Sequence, residues 1–141
     1  MPAKKQNPFK LRDFIGVNPA QITKLATVGV TTTRQMLSAG QTAESRAELA
    51  RQAGIPVEVV LELVKLSDLA RLPGVKGIRA RLYYQAGIDT VEKLAACEPD
   101  ALLRLTAEFV SATSFPGIAP LPKEVSSTIT NARKLPKLVE W

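Results

Sequence analysis

One pair of glycines recurs along this chain, and the recurrence limits the fold more than any other feature. Gly16 and Gly29 stand 13 residues apart, Gly74 and Gly87 stand 13 apart, and the two pairs are offset by 58 residues. Phe14-Ile15-Gly16-Val17-Asn18-Pro19 lies in register with Leu72-Pro73-Gly74-Val75-Lys76-Gly77. Val28-Gly29-Val30-Thr31-Thr32 lies in register with Ala86-Gly87-Ile88-Asp89-Thr90. Self-similarity at a fixed offset marks a duplicated supersecondary unit. In each copy a glycine allows a tight turn, and a helix then runs from about Pro19 to Thr27 or from about Gly77 to Ala86. Proline suits the first helical position, and a glycine just past the end terminates the helix. A second helix follows at once. Thr32 with Gln35, and Asp89 with Glu92, have capping-box spacing. Met36, Leu37, Val91 and Leu94 supply its apolar face.

The rest of the chain is also read as helical. Thr42 or Ser45 caps a helix through Arg51 that ends at Gly54. Pro56 opens another, with Val59, Val60, Leu63, Val64 and Leu66 as a broad apolar stripe. Pro99 opens a helix through Leu105 and Val110. Ser111–Pro122 holds three prolines and a glycine and reads as a loop. Pro122 opens a last helix through Ile129 and Ala132, which Pro136 stops. No segment alternates as a strand does, and aromatics are only 5%. The expected fold is all-α: tandem units in one compact helical domain over residues 13–134, with modules at about 13–69 and 70–112 plus a C-terminal helix. A basic flexible tail is expected over 1–12. A C-terminal tail is expected over 135–141, docked in extended form through Trp141. Leu63, Leu82, Leu94 and Leu105 are the expected core.

Composition removes most chemistry. Histidine is absent, and Cys97 is the single cysteine. His-based acid–base catalysis, Cys–His nucleophiles, disulfides and Cys- or His-rich zinc sites are therefore excluded. Glu58 and Glu62 have no second acidic cluster beside them, so a two-metal nuclease site is not expected. No phosphate-binding loop of the G-x-x-x-x-G-K-S/T type occurs. The expectation is a non-enzymatic protein without metal or cofactor. No apolar run is long enough to span a membrane, and the N-terminus lacks the pattern of a secretory signal, so a cytoplasmic location is expected.

With 19 basic and 13 acidic residues the net charge is +6. Such an excess points to an anionic partner. Lys65, Arg71, Lys76, Arg79 and Arg81 cluster about the second copy, with Asp68 the only acid among them. Lys4, Lys5, Lys10 and Arg12 form a second group. Lys123, Arg133, Lys134 and Lys137 form a third.

The second copy, Leu72-Pro73-Gly74-Val75 followed by Ala80 and by Ala86-Gly87-Ile88, resembles a helix-hairpin-helix module. The order of elements over Phe14–Trp141 resembles a bacterial domain family of unknown function built from tandem helix-hairpin-helix-like units. Leu121-Pro122-Lys123-Glu124-Val125 through Ala132-Arg133-Lys134-Leu135-Pro136 is similar to that family's C-terminal end. The resemblance implies a hairpin whose backbone N–H groups meet a phosphate, helped by the following helix N-terminus. It assigns phosphate contacts to Gly74, Val75, Lys76, Gly77, Arg79 and Arg81. Lys4, Lys5, Lys10, Arg12, Lys65 and Arg71 would be auxiliary. Such binding to DNA or structured RNA reads no bases. The sequence departs from the hairpin pattern, because Asn18 and Lys76 replace the second glycine, and Pro19 and Ile22 depart further in the first copy.

Two other readings stand beside this one. The basic residues form an ordinary solvated face, or they meet an acidic protein surface, which would make the chain an adaptor or linker subunit of a larger assembly. Tyr83 and Tyr84 are expected in the core rather than on a base-stacking surface.

Overall fold

A computed structural model describes residues 9–141. Eight α-helices occur among them: α1 (Pro19–Thr27), α2 (Thr33–Ala39), α3 (Ala43–Ala53), α4 (Val57–Leu69), α5 (Gly77–Gln85), α6 (Val91–Ala95), α7 (Pro99–Thr113) and α8 (Pro122–Lys134). The only β-type pairing among the described residues is an isolated bridge between Lys10 and Thr32. The fold is all-α, as composition and periodicity implied.

The 58-residue offset is visible in the backbone. Gly16 and Gly74 have φ of 78° and 79°, and Gly29 and Gly87 have φ of 83° and 93°. This left-handed conformation favours glycine, which explains both pairs at once. The first helix of each copy ends alike: Val30 N–H donates to the Leu25 carbonyl at 3.0 Å, and Ile88 N–H to that of Tyr83 at 2.9 Å. Thr32 and Thr90 cap the second helices, accepting from the N–H of Gln35 and Lys93. Thr32 and Gln35 complete the expected capping box. In the second copy the cap falls on Thr90 rather than Asp89, whose carboxylate is taken by Lys65 and Lys93.

α4 lies at the centre and packs on α2, α3 and α5, while α8 packs on α6 and α7. Val60, Leu63, Val64, Leu66 and Leu69 on α4 are buried, as are Leu25, Met36, Leu82, Tyr83 and Leu94. Leu105 departs from expectation at 36% exposure. It lies off the buried face of α7, which Leu102 and Thr106 carry.

The described part of the N-terminal segment is ordered, and the C-terminal tail docks through a residue other than the one expected. Lys4 and Lys5 lie outside the described residues. Beyond them, Phe9–Asp13 is docked rather than free. Thr33 N–H donates to the Phe9 carbonyl at 2.8 Å, Leu11 N–H donates to Thr31 at 2.9 Å, and the Leu11 side chain is buried. At the other end Glu140 N–H donates to the Gln41 carbonyl at 2.8 Å. Val139, rather than Trp141, is the buried anchor of this tail. The Trp141 ring stays partly exposed beside the cationic groups of Arg46 and Lys65.

Candidate functional site

The second turn connects α4 to α5. Gly74 and Lys76 are exposed, whereas Val75 is buried with its N–H donating to the Leu72 carbonyl at 3.0 Å. Lys76 is the N-cap residue of α5, and no side chain caps that end. The matching end of α1 is capped by Asn18, whose side chain accepts from Ala20 N–H at 2.9 Å. The amino end of α5 is therefore the more open of the two. Gly77 is buried for a different reason: a Cβ there would stand 2.7 Å from the Asp13 carbonyl oxygen and 3.1 Å from the Phe9 ring. Close approach of the N-terminal segment accounts for this glycine.

The structure redistributes the basic cluster. Lys65 Nζ meets Asp89 at 2.6 Å. Arg71 meets the buried Asp68 at 2.7 Å and donates to the Pro136 carbonyl at 3.1 Å. Arg79 meets Glu124 at 2.6 Å and donates to the Ile118 carbonyl at 2.7 Å. Arg81 was expected to carry charge outward, yet it is 3% exposed. Its Nε donates to the Ile15 carbonyl at 2.8 Å, its Nη1 lies 3.3 Å from Glu62, and its guanidinium sits over the Tyr84 ring. Arg81 thus ties the two copies together and is not a surface cation. Of the five basic residues in the cluster, Lys76 alone has no ion pair among the described residues.

The acids respond to these contacts. Burial pushes the Asp68 carboxyl above its ordinary value, and Arg71 only partly opposes the shift. For Asp89 burial alone would act the same way. The hydrogen bonds and charges of Lys65 and Lys93 together outweigh it and hold the carboxyl below its ordinary value. Lys10 and Arg12 are exposed, beside the docked Phe9–Asp13 segment.

A groove of about 630 Å³ opens between α2 and the second turn. Its floor is apolar, with Leu37, Leu72 and Val75. Arg34 on α2 and Lys76 on the turn line it, and none of its described lining residues is acidic. Arg34 was not singled out from the sequence. It lies in the first copy, 42 residues from Lys76, and only the packing of α2 on α4 brings both to the lining of one groove. A second, smaller depression is flanked by Ile78 and by Ile118 on the Ser114–Leu121 loop, where Ile118 is 81% exposed.

No group of three potential metal ligands occurs among the described residues. Burial pushes the Cys97 thiol up, the direction opposite to activation. No described helix is long and apolar enough to cross a membrane.

Residues 15–135 match the family model described as Domain of unknown function (DUF4332). No curated protein and no solved structure matches the chain.

Proposed function

The chain belongs to the DUF4332 family, a domain of unknown function, and from its geometry we propose that it is a non-enzymatic adaptor that engages an acidic protein surface. One observation carries this reading. Lys65, Arg71, Arg79 and Arg81 spend their charge on internal partners. A nucleic-acid backbone is held by a series of free cations, each displacing counterions from a phosphate. The second turn offers Lys76 alone. What the same region does offer is a concave surface with an apolar floor, lined by Arg34 and Lys76, which make no ion pair among the described residues. Such a surface suits a protein segment that brings carboxylates and apolar side chains together.

Sequence-independent binding of DNA or structured RNA is the second reading, favoured by the uncapped amino end of α5 beside Lys76. Helix N-termini attract anions through free N–H groups and the helix dipole. The two readings separate by experiment. Full-length protein is used to capture partners from a native lysate with and without nuclease, and is titrated against a labelled random-sequence duplex near physiological salt. The adaptor reading expects the same proteins after nuclease and no duplex binding at tens of micromolar. Loss of every partner on nuclease treatment would overturn it. So would duplex binding with a log–log salt slope of about −3, the value for roughly three neutralised phosphates.

A further inference from the structure

The groove between α2 and the second turn is lined by both terminal segments. Phe9 lines it, its carbonyl accepting from Thr33 N–H at the start of α2. Leu138 lines it as well, on a tail tied down where Arg71 donates to the Pro136 carbonyl and Glu140 N–H donates to that of Gln41. α2 forms one wall along its seven residues, a rise of roughly 10 Å at about 1.5 Å per residue. That length admits about three extended residues at roughly 3.3 Å each, or two turns of helix.

Charge and shape choose the occupant. Arg34 and Lys76 are exposed, make no ion pair among the described residues and both line the groove together with Leu37, Leu72 and Val75. Arg71 also lines the groove, but its charge is already matched by Asp68. The groove is therefore complementary to a ligand with negative charge on its flanks and an aliphatic group between. A nucleic-acid strand is a poorer match, because strands are held by successive aromatic platforms. Phe9 is the only aromatic among the described lining residues, and its ring is packed on Phe14 with centroids 5.0 Å apart.

We infer that this groove is the docking site for a short acidic segment of a partner protein. One aliphatic side chain seats against Leu37, Leu72 and Val75, and carboxylates on either side meet Arg34 and Lys76. This inference rests on the adaptor reading and narrows it to one surface and one ligand chemistry. Leu138 lines the site, so the C-terminal tail is part of its wall.

The test is a titration of isotope-labelled full-length protein, followed by amide chemical shifts. Its probes are short capped peptides alternating glutamate with leucine, glutamate with serine, and lysine with leucine, together with a random-sequence duplex. The glutamate–leucine peptide should move the amides of Leu37, Val75 and Lys76, and high salt should weaken it. Arg34→Glu and Lys76→Glu should each weaken it about fivefold, since each reverses an exposed charge contact. The glutamate–serine peptide should bind more weakly for want of an apolar side chain. Should Arg34→Glu fail to fold, Arg34→Gln combined with Lys76→Gln measures the same contacts by charge removal. Equal binding of the lysine–leucine peptide, unchanged affinity in the variants, or preference of the same amides for the duplex would each overturn the inference. If nuclease-resistant partners are captured equally by the charge variants, the groove assignment fails while the adaptor reading stands. If wild-type protein captures no such partner, the adaptor reading itself fails.

Discussion

Replacing Arg81 by methionine should damage the fold rather than a binding surface, and the size of the loss follows from its contacts. Methionine keeps the apolar stem of the arginine but removes the guanidinium. The bond from a charged donor to the Ile15 carbonyl is worth about 1.5–3 kcal/mol. The pair with Glu62 adds about 0.5 kcal/mol, because that carboxylate is partly exposed and screened. The contact with the Tyr84 ring adds about 0.5–1 kcal/mol. One term opposes these: Arg81 Nη2 is buried without a partner, and removing it relieves a cost of about 1 kcal/mol. The net loss is about 1.5–3.5 kcal/mol, or roughly 5–10 °C in melting temperature at about 3 °C per kcal/mol for a chain of this size. Urea unfolding of Arg81→Met beside Lys76→Met measures it. Lys76 is exposed and unpaired, so its variant should lie within about 0.5 kcal/mol of the parent. If Arg81→Met also lies within that margin, or if Lys76→Met is destabilised as much, the assignment of Arg81 to the join between the two copies is wrong.

Other outcomes follow from burial and charge. Leu63→Ala and Leu94→Ala should each cost about 2–5 kcal/mol in denaturant unfolding, whereas Leu105→Ala, off the buried face of α7, should cost under about 1 kcal/mol. Asp89 has a folded-state pKa below its ordinary value of 3.8, so its contribution is present above pH 3.8 and is lost as pH falls through the lower folded value. Asp89→Asn should lower stability by roughly 1 kcal/mol at neutral pH and flatten the acid limb of the stability curve; an unchanged acid limb would contradict this. Asp68 acts in the opposite sense, since its raised pKa makes its contribution fall as pH rises above 3.8. The Cys97 thiol, pushed up by burial, should react with iodoacetamide at mildly alkaline pH several-fold more slowly than in the urea-unfolded chain, and equal rates would show that the site is open.

The local parts of this fold are legible in the residues. Glycines at one repeated offset, prolines at helix starts and Thr-x-x-Gln spacing each act through the backbone of a few neighbouring residues, so they place α1, α2, α4, α5, α7 and α8 to within a few positions. The all-α class follows for the same reason. Local pattern also misled at one cap, where the expected Asp89 instead meets a lysine 24 residues away and Thr90 caps the helix.

The charges were decided only by tertiary structure. Along the chain, Lys65, Arg71, Arg79 and Arg81 look like one basic surface with a single acid among them. In three dimensions Arg79 finds Glu124, 45 residues away, and Arg81 finds a backbone carbonyl 66 residues away. An ion pair forms wherever packing brings opposite charges within a few ångströms, and sequence distance does not enter that condition. The same packing brings Arg34 and Lys76 to the lining of one groove, with a floor that neither copy forms alone. The sequence by itself therefore determined the helices and the 58-residue recurrence of the glycine pairs. Which cations remain free to meet a partner was settled by how the two copies, the N-terminal segment and the C-terminal tail pack together, because a charge is neutralised by its neighbours in space.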